Sequence, residues 1–240
     1  MGRAHEVRAK KMAQTNAAKS ALYNRASKEI YMAAKSGVPD PKDNLALRAA
    51  LEKWRAQHVT KDVIDRAIAK AKSKDSADYI AGRYEGFGPG GVAFIVDTLT
   101  DNEKRAFSAV RAAFTHHGGH LGNSGCVSFN FNKAGVLDFE TEASVEDIES
   151  SLILNDIDVQ SVDKDENVCE VLVTPEAFDA AKAQIEADFG ITDFLEAEVT
   201  LVPNGGLVAL NDEDRAKVEN LIEVLDEIED VQAVYHNADL

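Results

Sequence analysis

Cysteine is scarce in this chain: 240 residues hold only Cys126 and Cys169, far apart and without Cys-x-x-Cys spacing. That excludes a disulfide framework and an obvious thiolate metal site. Both cysteines sit in apolar, β-like runs and read as small buried hydrophobes. Long apolar runs are missing as well. No stretch approaches the roughly 20 residues that a membrane helix needs, so no membrane partner is expected. The opening MGRAHEVRAKKMAQ has no apolar segment of secretory type, and Glu6 stands where a myristoylation signal carries Ser or Thr. A reducing, cytoplasmic setting fits these absences. The signatures of catalysis are also absent. Ser124-Gly125 lacks the G-x-S-x-G frame, and no nucleophile–His–acid arrangement or carboxylate pair in apolar surroundings stands out. An enzyme is therefore not expected, and no cofactor is implied. Basic residues nearly vanish from the C-terminal part: from Gly135 to Leu240 there are 4 Lys and Arg against 29 Asp and Glu.

What is present is a segregation of charge. Residues 1–74 carry 17 Lys and Arg against 7 Asp and Glu, a net of +10, whereas residues 75–240 carry 9 against 35, a net of −26. A basic module on an acidic body points to a polyanionic partner for the module. Arg3, Arg8, Lys10, Lys11, Lys19, Arg25, Lys28 and Lys35 fall in the first 37 residues against only Glu6 and Glu29, and are the candidate nucleic-acid contacts. Such side chains neutralise phosphates and release counterions, which gives affinity without sequence specificity. Ala-rich spacing between them keeps the other helix faces small, so the helix can approach a groove closely. The competing reading is a basic face docked on the acidic body of the same molecule. The two can coexist.

Periodicity gives the organisation. Leu22, Ala26, Ile30 and Ala33 lie on one helix face, ended by Gly37, Pro39 and Pro41. A second helix carries Leu47, Leu51 and Trp54. A third follows Thr60 as N-cap, with Val63, Ile64, Ala67 and Ile68 as its apolar stripe. The turn-rich run Arg83–Gly91 then marks a boundary. Beyond it, Val92–Leu99 reads as a strand, 102–117 as a helix, and Cys126–Phe131 as a strand with Val127, Phe129 and Phe131 on one face. From Val136 to Val202 the order is β-α-β-β-α-β, with Thr174 and Pro175 opening the second helix. Residues 207–235 supply a last β-α-β. The expected fold class is α+β: an N-terminal three-helix domain followed by two ferredoxin-like (split βαβ) domains, one inserted into the other. The expected domains are 1–76, 77–133 plus 205–240, and an inserted 134–204.

Two local clusters have bland readings. Gly86-Phe87-Gly88-Pro89-Gly90-Gly91 matches G-x-G-x-x-G on paper. It precedes a strand rather than opening a helix, however, and no Gly-Lys-Ser/Thr follows, so it reads as a rigid entry turn. His116, His117 and His120 flank Gly118-Gly119, which breaks any i,i+4 face. A metal site is not expected there, and a helix C-terminus explains His116 and His117 as cationic side chains.

The segment from Tyr84 to Val136 strongly resembles the YebC/PmpR family, which includes the mitochondrial translational activator of cytochrome oxidase. Gly86-Phe87-Gly88-Pro89-Gly90-Gly91-Val92-Ala93, Thr100-Asp101-Asn102 and His117-Gly118-Gly119-His120-Leu121-Gly122 carry the resemblance. The opening Met1–Arg8 looks like the YeeN-type branch rather than the commoner Gly-His-Ser-Lys-Trp form. The resemblance implies a helical first domain, two α+β domains and a cytoplasmic, non-enzymatic protein. It also marks Gly86, Phe87, Gly88, Pro89, Gly90 and Gly91 as the family's characteristic loop. Some members are described as DNA-binding transcriptional regulators, others as ribosome-associated factors that help translation through difficult nascent sequences. The implied partner is DNA or, as the alternative, ribosomal RNA, with the acidic α+β domains open to protein partners.

Overall fold

Proline and asparagine set the first turn of the chain's path. In the computed structural model, which describes residues 16–73 and 79–240, helix α1 (Asn16–Lys35) stops before Gly37-Val38-Pro39, where proline cannot continue the ladder. Asn44 then caps α2 (Leu45–Ala56) by accepting from Leu47 N at 3.0 Å, and donates back to Ala33 O at 2.8 Å. Helix α3 (Lys61–Lys72) starts after Thr60. That residue has the extended backbone of a cap but makes no side-chain cap bond; its carbonyl accepts from Val63 and Ile64 instead. Ala26, Ile30, Leu47, Leu51, Trp54, Ile64 and Ala67 bury against one another as the module's own core.

The described chain forms two compact units. One holds the helical module together with residues up to Ser128 and Leu210–Ala238; the other is Phe129–Ala209 with Asp239–Leu240. In the first, strands β1 (Ile80–Phe87), β2 (Ala93–Thr100), β3 (His120–Leu121) and β9 (Val231–His236) make an antiparallel sheet in the order β3-β1-β2-β9. Helices α4 (Glu103–His116) and α7 (Asp212–Glu227) accompany it. β2 is central, which explains its unbroken apolar run: seven of its eight residues are buried. β9 enters from the far end of the chain, pairing Phe94 with His236 and Thr98 with Val231.

Three local expectations are corrected here. Arg83–Phe87 is not a boundary turn but part of β1; only Gly88–Gly91 turns, with Gly88 N donating to Val92 O at 2.8 Å. Gly82 and Gly86 disguise the strand. They are required because a Cβ at Gly82 would meet Thr98 Oγ1 at 2.9 Å, and one at Gly86 would meet His120 O at 2.5 Å. Residues 126–130 are not a strand, and only Phe131 begins one: Ser128–Asn130 is a 3₁₀ turn and Phe129 stays 69% exposed. The cause is Glu85, whose carboxylate takes the Val127 and Ser128 N–H groups that a ladder would need. The region 207–210 gives only the two-residue β8 (Val208–Ala209), outside this four-stranded sheet. β1 supplies the missing strand.

The second unit runs β4 (Phe131–Glu140), α5 (Val145–Leu154), β5 (Val159–Asp165), β6 (Val168–Val173), α6 (Phe178–Phe189) and β7 (Phe194–Pro203). Its sheet order β5-β6-β4-β7, antiparallel throughout, is the split-βαβ arrangement. Leu137, Phe139, Ile148, Leu152, Val171, Val173 and Ile185 form its core. Helix α6 begins at Phe178 rather than at Pro175: Thr174–Ala177 forms a preceding turn, closed by Ala177 N donating to Thr174 O at 3.0 Å. β10 (Ala238–Asp239) ends the chain's regular structure. Cys169 lies buried in β6, where desolvation pushes its thiol up to about 12, and Cys126 is half-buried.

Candidate nucleic-acid interface

The basic residues of α1 divide into two groups. Lys19 and Lys35 are exposed; Lys35 lies with its ammonium 5.7 Å from the centre of the Tyr31 ring. Arg25 and Lys28 point the other way, into the acidic end of α7. Arg25 donates to Val231 O at 3.1 Å through Nε, and to Asp226 O and Oδ1 through Nη2. Lys28 is only 7% exposed; its ammonium is shared among Leu99 O at 3.1 Å, Glu229 O at 2.9 Å and Asp230 Oδ1 at 3.0 Å. Asp230, buried in turn, also accepts from Arg105 Nε at 3.0 Å. Two cations thus occupy the carbonyl-rich, negative end of a helix, where the dipole favours them, and a buried ammonium is tolerated because every proton has an acceptor. Arg25 and Lys28, named as candidate phosphate contacts, thus make docking contacts within the molecule. Arg3, Arg8, Lys10 and Lys11 lie outside the described residues.

The sequence-based candidates all fall within the first 37 residues, but the structure adds exposed cations from the other two helices. Arg55 at the end of α2, and Lys61, Lys70 and Lys72 on α3, are all exposed. Lys70 lies 5.6 Å from the Tyr31 ring centre and 5.5 Å from that of Tyr79, and donates to the Tyr79 hydroxyl at 3.3 Å. The signal for these positions was in the sequence, as polar slots on amphipathic helices. Their exposure was decided by which face α1 covers. Tyr31 and Trp54 are 1% and 4% exposed, so neither can stack on a base.

The glycine run Gly86–Gly91 ends β1 and, through Gly88–Gly91, closes the β1–β2 hairpin; it packs against the histidine loop. A Cβ at Gly119 would meet Phe87 O at 2.7 Å, and β1 pairs with β3 through Gly86–Leu121 and Phe87–His120. Gly90 adopts φ 68° beside Leu210, a conformation and a space that favour glycine. Beneath the second loop lies Glu85, 4% exposed. Oε1 accepts from Gly125 N at 2.8 Å and Ser128 Oγ at 2.6 Å, and Oε2 from Val127 N at 2.9 Å and Ser128 N at 3.0 Å. Burial opposes ionisation, but the Ser128 hydroxyl and the three backbone donors outweigh it and hold the carboxyl down to about 2. Nothing in the sequence separates Glu85 from the other carboxylates, since its partners lie some forty residues away. Among the described residues no group of three or more His, Cys, Asp or Glu is placed to hold a metal ion, and no helix is long and apolar enough to cross a membrane.

A basic three-helix module docked on an α+β sheet, with a split-βαβ unit between that sheet's strands in sequence, defines the class of protein. Known proteins narrow it. The description "TACO1/YebC protein N-terminal domain" matches residues 3–74, and "TACO1/YebC second and third domain" matches residues 79–238. The chain belongs to the TACO1/YebC family. It is 43% identical over 239 residues to a probable transcriptional regulatory protein of Mesoplasma florum, with 99% of both chains covered. A protein of the same description from Lachnospira eligens is 41% identical, over 95% of this chain and 92% of its own. The crystal structure of a conserved hypothetical protein from Aquifex aeolicus superposes with a TM-score of 0.78 at 32% identity, covering 94% of this chain and 92% of that one.

Proposed function

We propose that this chain is a non-enzymatic, cytoplasmic regulator of transcription that binds DNA through its helical module. The observation that carries this is the exposed cationic surface left on the module once Arg25 and Lys28 are spent on docking, set against an acidic remainder. Lys19, Arg55, Lys61 and Lys72 reach phosphates and release counterions. Relatives named as probable transcriptional regulatory proteins support the regulatory reading.

A second reading, a ribosome-associated factor that holds ribosomal RNA and relieves stalling, draws on the burial of Tyr31 and Trp54. With Tyr31 and Trp54 buried, the module grips backbone and shape, which suits structured RNA as well as DNA. Sedimentation of a lysate through sucrose, with and without DNase, separates the two. Migration away from ribosomes and sensitive to DNase is expected for the first; co-migration that survives DNase overturns it in favour of the second. Charge reversal at Lys19, Lys61 and Lys72 to Glu is expected to weaken binding to either polyanion at least tenfold at about 0.15 M salt. Unchanged binding removes the module from the interface altogether.

A further inference from the structure

In the helical module Tyr31 and Trp54 are buried and Tyr23 is half-buried, while the far end of the first unit's sheet offers a ring pair with an exposed imidazole. Its edge strand is β3. There the Phe87 and His120 rings lie 5.7 Å apart, tilted by 32°, with His120 exposed and Phe87 half-buried. His117 and the Gly118–Gly125 loop continue the surface. In a body with a large excess of acidic residues, the run from Lys104 to Leu137 contains no Asp or Glu. The carboxylate beneath it, Glu85, is buried and holds four hydrogen bonds, so its charge is spent on the loop's own donors. On the other flank Asp214 borders Gly90, at the start of α7, and sets one limit to the surface.

The loop is also held still. Gly86 and Gly119 bring two backbones into contact that any Cβ would part, and Glu85 ties Gly125, Val127 and Ser128 to β1. A ring pair on a fixed edge, in a run of chain without Asp or Glu, suits an unpaired base with its phosphates alongside: stacking needs only a π-face, and a phosphate is helped by few like charges nearby. A duplex cannot present that base. We infer that the Phe87–His120 edge is a second contact surface, for unpaired nucleotides of a single strand, RNA or DNA. This rests on the nucleic-acid reading above and extends it. The module supplies phosphate affinity, and the edge supplies preference for an unstacked base.

The test uses the full chain and three labelled probes at about 0.15 M salt, read by fluorescence anisotropy: a 15-nucleotide oligo-U RNA, its oligo-dT counterpart, and a blunt 20-base-pair DNA duplex. His120 is exposed, so its variants leave the core intact; Phe87 is left unchanged. His120→Ala and His120→Glu are expected to weaken single-strand binding about tenfold and leave duplex binding unchanged. His120→Phe is expected to restore it. The Lys61→Glu/Lys72→Glu variant is expected to weaken all three probes. Loss on oligo-U and oligo-dT alike means that the edge takes either strand; loss on oligo-U alone makes it an RNA site. If the His120 variants bind single strands as the parent does while the Lys variant weakens, the edge proposal is wrong and the module reading stands. Equal loss on duplex and single strands from His120→Ala also overturns it, because stacking would not be the cause. If the Lys variant binds every probe normally, the module reading is the one that falls.

Discussion

Glu85 is one carboxylate among 42 acidic residues, and its role comes wholly from four donors that the fold brings to it. Its carboxyl is held down to about 2, against about 4.3 in an unfolded chain. A depressed folded value gives stability that is present above the unfolded value and lost as pH falls from about 4.3 through about 2. Glu85→Gln puts an amide NH₂ among N–H donors. It is expected to cost about 1–3 kcal/mol near neutral pH, with faster hydrogen exchange at Gly125, Val127 and Ser128. That cost should shrink as pH falls from 4 towards 2; a gap that stays constant over this range would refute the clamp. Asp230 carries a larger stake. Asp230→Ala leaves the buried Lys28 without its anion and leaves the half-exposed Arg105 with Asp101 alone, and about 3–5 kcal/mol is expected from urea unfolding. Lys28→Met in the same background should recover part of it, because the stranded charge is removed.

At the scale of elements, the helices were legible because burial repeats on one face. Val145–Leu154 and Val168–Val173 have the bounds that the pattern gives. Failures came where tertiary contacts claimed backbone groups. β1 hides behind glycines that Thr98 and His120 require. The run Val127-Ser128-Phe129 alternates like a strand but spends its N–H groups on Glu85. Caps behaved unevenly. Asn102 accepts from Arg105 N and Asn44 from Leu47 N, while Thr60 makes no side-chain bond. Asn44→Ala is expected to cost the helical module about 2 kcal/mol, since it loses a cap and two donors to carbonyls. Thr60→Ala is expected to cost little. Thermal melts of the two variants, followed by helical circular dichroism, would show the contrast; equal losses would mean that the caps do not set the order.

Over the whole molecule, the charge split has one use that the contacts show and one that is proposed. Arg25 and Lys28 spend part of the basic excess on α7 and its exit, while Lys19, Lys35, Arg55, Lys61, Lys70 and Lys72 are exposed. Affinity for duplex DNA should therefore fall steeply with salt, with a slope near −0.9 for each phosphate neutralised. Lys19→Gln, Lys61→Gln and Lys72→Gln should each flatten that slope by about 1, whereas a conservative change at the docked Arg25 should not. An unchanged slope in the first three would place the phosphates elsewhere. The C-terminal segment matters at the same scale. β9 lies beside the central strand β2, so deleting residues 210–240 is expected to unfold the first unit's sheet, seen as loss of exchange protection along β2.

The order of amino acids by itself determined the three amphipathic helices, the split-βαβ pattern, the segregation of charge and the family motifs, because periodicity, turn chemistry and net charge are local properties. Which cations remain exposed was decided only by tertiary structure. So were the identity of the strand beside β2 and the clamp beneath the histidine loop. Arg25 and Lys28 look in sequence like Lys19 and Lys35; only the arrival of α7 and its exit, some two hundred residues later, beside Leu99 of β2, gives them carbonyls and carboxylates to bind.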